Sequence, residues 1–310
     1  MPDVRPVFRD PQLEQQFQEQ GFVKVPFLDP EAVAALTSAY HETLAMRQGP
    51  VQPEEEKHAS TQKITYDFTF IDRNSAYKQQ VLSIIYDAFR TPTDQLLDRY
   101  RPIIGNFIHK APSDGEVPLH QNWAFVDEHR ATSVSIWCPL VDSDARNGTL
   151  EVVPGSHKRF GEVRGPMIRW ELETIGQTII QEHMEPQTVR AGEAIILDDS
   201  LVHYSAPNRG GQFRLAIQLI LIPEELPSIH YHMDPAADPH RVEVLEVDQE
   251  FYMTFNPWKK PAANTPRVRS FTYQPFSLDA EAFRKRLRQP RFDAPRPPAW
   301  QRLLGQLFGS

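Results

Sequence analysis

The chain has 310 residues, of which 40% are hydrophobic and 10% aromatic, enough for a sizeable buried core and unlike a disordered chain. Lysine plus arginine total 33 against 41 aspartate plus glutamate; the net charge of −8 argues against a general nucleic-acid binder. Cys138 is the single cysteine, which excludes an internal disulfide and a cysteine-based zinc site. No run of about 18 apolar residues could cross a membrane, and the first twenty residues lack the apolar core of a secretory signal. The expectation is a soluble, cytoplasmic protein without nucleic-acid or membrane partners.

The first fifth of the chain reads as helical. Asp10 followed by Pro11 is an N-cap with proline at the first helical position, Leu13 and Phe17 form a stripe, and Gly21 ends the helix. Asp29-Pro30 repeats the signal ahead of Val33, Leu36, Tyr40 and Leu44 at helical spacing. Residues 47–63 are polar and read as a loop, and a further helix is expected over about 76–100. From about 102 the period changes to two. Short strands are expected near 104–107 and over 118–126, 131–140, 148–153, 186–190, 193–197, 201–205 and 213–222, broken by turns such as Asn147-Gly148 and Pro154-Gly155. Strands at this spacing with no helices between them suggest an antiparallel sandwich or barrel. The fold class is therefore mainly β with flanking helices, the N-terminal helices packing on one sheet, and 1–310 forms one domain. Eight prolines from Pro257 onward suggest an extended C-terminal tail wrapped on the body. Trp300, Leu303, Leu304 and Phe308 make one helical stripe near its end, most simply docked on the chain's own body.

Strand alternation isolates one set of polar residues. His120 and Asn122 are two apart, as are His203 and Ser205, so each pair shares a strand face. On 213–222, Arg214, Ala216 and Gln218 face one way, and Leu215, Ile217, Leu219 and Leu221 the other. On 131–140, Ser133, Ser135 and Trp137 oppose Val134, Ile136 and Cys138. An arginine on a buried strand must meet an anion or lose heavily by desolvation. Each residue alone reads as a satisfied core polar group; together they describe a polar pocket inside a barrel. Two histidines plus an oxygen ligand form the side-chain kit of a facial site for non-haem Fe(II). Arg214, eleven residues after the second histidine, could clamp a carboxylate.

Pro118-Leu-His-Gln-Asn-Trp123, Ser133-Val-Ser-Ile-Trp-Cys-Pro-Leu140, Asn147-Gly-Thr-Leu-Glu-Val-Val-Pro-Gly-Ser-His157, Gly192-Glu-Ala-Ile-Ile196, His203-Tyr-Ser-Ala-Pro-Asn-Arg209 and Arg214 resemble, in order, the phytanoyl-CoA dioxygenase family of Fe(II)/2-oxoglutarate oxygenases. The resemblance covers about residues 12–222, leaving 223–310 as a C-terminal extension packed on that core. It implies a double-stranded β-helix, or jelly roll, of the cupin-like kind. It also implies that His120 and His203 bind iron, that Arg214 grips the distal carboxylate of 2-oxoglutarate with Ser205 as hydroxyl partner, and that Trp137 lies beside this cosubstrate. Asn106 is a looser candidate for a cosubstrate contact. Implied with these are O2, a small-molecule or thioester-linked substrate, and a monomer or homodimer.

The family pattern His-x-Asp is here His120-Gln121-Asn122. An amide is nearly isosteric with a carboxylate and can ligate through oxygen, but it brings no charge to offset Fe(II). Three readings follow: an oxygenase in which Asn122 ligates iron, the amide being native or introduced in place of aspartate; a halogenase-like variant; and an inactive binding homologue. Asp127 and Glu128 lie beyond the strand's expected end and do not read as substitutes. Asp198-Asp199 read as turn caps. His230 and His232 share a strand face but lack a third ligand, and Lys110 is the one lysine near the pocket strands.

Overall fold

The structure is a computed structural model that describes residues 5–50, 66–256, 259 and 261–293. The expected stripe over 300–308 and most of the polar stretch 47–63 lie outside these residues. Helix α1 (Pro11–Gln20) starts where the Asp10 carboxylate accepts the backbone N–H groups of Gln12 and Leu13, and it ends at Gly21 with φ +82°. After strand β1 (Phe22–Pro26), Asp29 caps helix α2 (Pro30–Thr43) through the Ala32 N–H. Strand β2 (Asp67–Phe68) precedes helix α3 (Ser75–Leu96), capped by Asn74 and ending four residues earlier than the sequence suggests. Strands β3 (Tyr100–Lys110), β4 (Val117–His120), β5 (Val134–Pro139) and β6 (Glu151–Val152) follow, then helix α4 (Gly176–Glu182). The barrel closes with β7 (Glu185–Pro186), β8 (Glu193–Asp198), β9 (His203–Ser205) and β10 (Arg214–Pro223).

The strands divide into two antiparallel sheets, β1-β8-β5-β10-β3-β2 and β4-β9-β6-β7. From β3 to β10 the chain passes back and forth between them, which is the jelly-roll winding. Helices α1, α2 and α3 cover the outer face of the larger sheet. Phe17, Leu36, Tyr40, Val81, Leu82, Ile85 and Phe89 pack there on Val134, Ile136, Cys138, Leu215, Ile217, Leu219 and Leu221. The alternation read from the sequence on β5 and β10 is thus the division between core and pocket. Gly105 permits the closeness of α3, because a Cβ at that position would stand 3.0 Å from the Leu82 Cα.

Two expectations are corrected. The strand expected over 118–126 stops at His120, and the next residues satisfy their polar groups on Arg164 rather than in a ladder. The Asn122 carbonyl accepts from Arg164 Nε at 2.6 Å, and the Ala124 N–H donates to the Arg164 carbonyl. The chain from Pro257 onward is no plain extended tail: it adds a strand and a helix to the segment that follows residue 223. That segment forms a three-stranded sheet of β11 (Ser228–Met233), β12 (Arg241–Val247) and β13 (Arg267–Thr272), with helix α5 (Gln249–Thr254) before β13 and α6 (Ala280–Leu287) after it. Leu245, Val247 and Tyr252 from this segment pack on Ile103, Phe125 and Ile220 near the pocket mouth.

Ile217 sits fully buried at the centre of the larger sheet. Ile217→Ala is expected to lower unfolding stability by about 2–5 kcal/mol, read as a lower urea midpoint at unchanged slope.

Candidate functional site

Between the two sheets lies a cavity of about 1420 Å³ lined, among others, by His120, Asn122, Trp137, His203, Ser205 and Arg214. Backbone register makes its centre: His120 on β4 pairs directly with His203 on β9, and the two rings lie 4.1 Å apart between centroids. Each imidazole is oriented by its own strand. His120 Nδ1 meets the Pro118 carbonyl at 2.7 Å and His203 Nδ1 the Leu201 carbonyl at 2.8 Å. With Nδ1 donating to a carbonyl, Nε2 keeps its lone pair and belongs to the cavity, the tautomer a metal ligand needs. Burial lowers the pKa of both rings, holding them neutral.

Asn122 joins them from the loop after β4, not from the strand itself. Its Nδ2 donates to Asp199 Oδ1 at 2.8 Å and to Ser135 Oγ at 3.0 Å, and its side chain lies against His120. Ser135 donates to the same Asp199 oxygen at 2.6 Å. Asp199 is fully buried and its Oδ2 has no hydrogen-bond partner. Burial pushes its carboxyl pKa up to about 7, against the hydrogen bonds from Ser135 and Asn122. The turn-cap reading holds for Asp198, which accepts the Ser200 N–H and hydroxyl, but not for Asp199. A paired acid just before the second histidine's strand was the only signal in the sequence.

Arg214 is 1% exposed, and its Nε and Nη1 have no partner. Its Nη2 is 3.4 Å from Ser205 Oγ, and its guanidinium lies 5.6 Å from the Trp137 ring centroid. Burial alone pulls its pKa down to about 9. Ser205 Oγ also donates to the Gly148 carbonyl and accepts from Lys110 Nζ. Lys110 is buried behind this serine, with its pKa lowered to about 6 by desolvation and by Arg214. Gly148 makes room: at φ +75° it is strained for any L side chain, and a Cβ would stand 2.3 Å from the Ala206 carbonyl oxygen. Asn106 lines the same cavity, but both ends of its amide are engaged, by the Phe70 N–H and by Gln218.

Outlying candidates resolve differently. Glu128 forms a buried two-pronged ion pair with Arg164, the residue that also holds the Asn122 carbonyl, so this acid braces the loop. His230 is buried among Trp123, Phe251 and Phe255. Among the described residues no three His, Cys, Asp or Glu side chains converge on one point; the third member of the central set is an amide. Gln121, unnoticed in the sequence, also lines the cavity but is held by groups other than the two histidines. It donates to the carbonyls of Phe160 and Ser200 and accepts from Trp170 Nε1.

A jelly roll here holds, in one cavity, two neutral histidines and a buried arginine with two unpartnered nitrogens. The model of the phytanoyl-CoA dioxygenase (PhyH) family matches residues 17–216, more than half of the chain. The chain belongs to that family. It is similar to phytanoyl-CoA dioxygenase 1 of Oryza sativa subsp. japonica, 32% identical over 124 residues, covering 38% of this chain and 43% of the relative. A phytanoyl-CoA dioxygenase domain-containing protein 1 homolog from Dictyostelium discoideum is 32% identical over 117 residues, 35% and 41% of the respective chains. The similarity thus spans less than half of these relatives' length. Among solved structures, EctD from S. alaskensis with bound Fe superposes with a TM-score of 0.50 at 19% identity, covering 72% of this chain and 83% of that one. That likeness is one of fold.

Gln121→Leu keeps the volume but orphans two buried carbonyls and an indole N–H, each costing about 1–3 kcal/mol. The expected outcome is a lower melting temperature, measured by calorimetry, larger than for Gln177→Leu on the cavity's rim.

Proposed function

We propose that the protein is an Fe(II)/2-oxoglutarate-dependent oxygenase. The observation that carries this reading is Arg214: a buried guanidinium with two unpartnered nitrogens, in the same cavity as the His120–His203 pair. Desolvating a cation this fully without a counter-charge is costly, and an incoming carboxylate removes the cost through a planar, charge-assisted pair. The donor set fits the metal as well. Two neutral imidazoles and an amide oxygen suit a divalent first-row ion while leaving positions for a chelating cosubstrate.

In this reading His120, His203 and Asn122 would hold the metal, which would supply oxidation of a substrate C–H bond by O2, one oxygen atom going to substrate and the other to the succinate formed with CO2 from 2-oxoglutarate. The chain's own residues do the rest. Arg214 and Ser205 fix the far carboxylate, Trp137 closes the side of the guanidinium, and Lys110 supports the serine from behind. The sheets and the N-terminal helices keep water from the inner end of the cavity, so the cosubstrate arrives in one orientation. Asn106 acts as a brace between Phe70 and Gln218. The Asn122 side chain occupies the third ligand position, which favours this reading over a halogenase-like one that needs space there.

The cavity wall narrows the substrate. Tyr66, Phe68, Phe70, Trp123 and Phe255 form a continuous aromatic surface, with Phe70 stacked on Phe68 and Phe255 and Trp123 edge-on to both Phe70 and Phe255. The basic residues described in the lining are Arg164, paired with Glu128, Arg169, paired with Glu173, and Arg214. A small molecule with a flat apolar portion suits this wall better than a coenzyme A thioester, whose phosphates need unpaired cations. No helix of the described residues is long and apolar enough to cross a membrane.

The test is anaerobic titration of the Fe(II)-loaded protein with 2-oxoglutarate, following the visible metal-to-ligand band. A saturable band is expected. Arg214→Met should weaken 2-oxoglutarate by at least about tenfold for each charge-assisted hydrogen bond lost while leaving metal affinity in place. Absence of any band from iron-loaded protein would reject the reading.

A further inference from the structure

The amide at the third ligand position is not isolated. Asn122 Nδ2 carries two hydrogens, and both are used: one on Asp199 Oδ1 at 2.8 Å, one on Ser135 Oγ at 3.0 Å. Ser135 can accept because its own hydrogen goes to Asp199 at 2.6 Å. This small network has one consistent assignment. A carboxylate only accepts, so it takes the amide nitrogen and repels the amide oxygen. Oδ1 is thereby turned away from Asp199, to the side on which the Asn122 side chain meets His120. Beyond these, among the described residues, Asp199 has a weaker contact from Ser133 and the field of Arg164, whose guanidinium is paired to Glu128. It is 0% exposed, its second oxygen makes no close hydrogen bond, and among the described residues no arginine or lysine is hydrogen-bonded to it. A fully buried carboxylate without a cation is costly to keep, and the two-histidine centre lies just across the amide.

We propose that Asp199 is a positioning residue of the metal site: it locks the Asn122 amide with its oxygen toward His120 and His203, and it supplies from behind the amide the negative charge that an aspartate at position 122 would supply directly. On this view the chain has moved the carboxylate back by one hydrogen bond rather than lost it. The polarised N–H···carboxylate contact makes the amide oxygen a better donor to a cation, as a carboxylate behind a ligating histidine does for the imidazole. Restoring aspartate at 122 alone is then no repair. Two carboxylates would meet where an amide and a carboxylate now meet, without the N–H that joins them, and position 122 would no longer be held toward the histidines.

The proposal rests on the reading of His120 and His203 as metal-holding residues, and its test separates the two. Calorimetric titration with Co(II) alone is applied to the full-length protein, to Asp199→Asn, to Asn122→Asp, and to the double exchange Asn122→Asp/Asp199→Asn, with melting temperatures recorded for each. Asp199→Asn keeps an acceptor for the amide but removes the charge, and a 10- to 100-fold loss of Co(II) affinity is expected. The double exchange restores one carboxylate and one amide in reversed order, and should recover affinity to the original level or better. Asn122→Asp alone should bind less tightly than the double exchange. If Asp199→Asn binds Co(II) as tightly as the original chain, or if Asn122→Asp matches or exceeds the double exchange, Asp199 has no such role while the metal site itself stands. If the original chain and the double exchange both fail to bind, the metal reading falls and the proposal with it. Should Asp199→Asn fail to fold, the comparison of Asn122→Asp with the double exchange still decides the matter.

Discussion

The site depends on one antiparallel register. β4 and β9 are short strands of four and three residues, and their pairing sets His120 opposite His203. A slip of one residue would turn both imidazoles to the other face of the sheet, where Gln121 and Val202 make structural contacts. The register is held from outside the two strands. Gln121 ties the end of β4 to the carbonyls of Phe160 and Ser200, and Ser156 Oγ accepts the Val202 N–H. The chemistry is therefore seated on the smaller sheet but fixed by the loops around it.

A second constraint is the burial of charge. Arg164 with Glu128 and Lys158 with Asp293 are buried ion pairs whose geometry satisfies both partners, and each braces a loop near the pocket. Arg214, Lys110 and Asp199 are buried without an opposite charge at bonding distance. Arg214 lines the cavity, while Lys110 and Asp199 lie one hydrogen bond behind the lining residues Ser205 and Asn122; the proposed anion and metal would answer the arginine and the aspartate. The cost of leaving them so in the protein alone is the kind of local conflict expected at functional sites rather than in a core. Lys110 is the intermediate case, neutralised by burial and used as a hydrogen-bond donor to Ser205 and Ala206.

Much of the fold was legible because local signals and tertiary packing agree. Asp10-Pro11 and Asp29-Pro30 announce helices that cap as expected, since an N-cap needs only its own next three residues. Period-two alternation on 131–140 and 213–222 separates the helix-covered face from the pocket face. The readings that failed concern segments whose polar groups are satisfied by distant partners. β4 ends at His120 because Arg164, forty-two residues later, takes the Asn122 carbonyl. The strand at 267–272 was obscured by the surrounding prolines, which suggested an extended tail.

The amino-acid sequence by itself determined the mainly β class, the two histidines, the arginine with its serine, and the substitution of an amide for the expected acid. Such facts reside in residue type and short spacing, which the chain carries without folding. Only the tertiary structure decided what the amide means. Position 122 read alone is a missing charge; folded, it faces Asp199 across a hydrogen bond spanning seventy-seven residues of chain. Which groups share a desolvated space, and so which charges must answer one another, is fixed by packing.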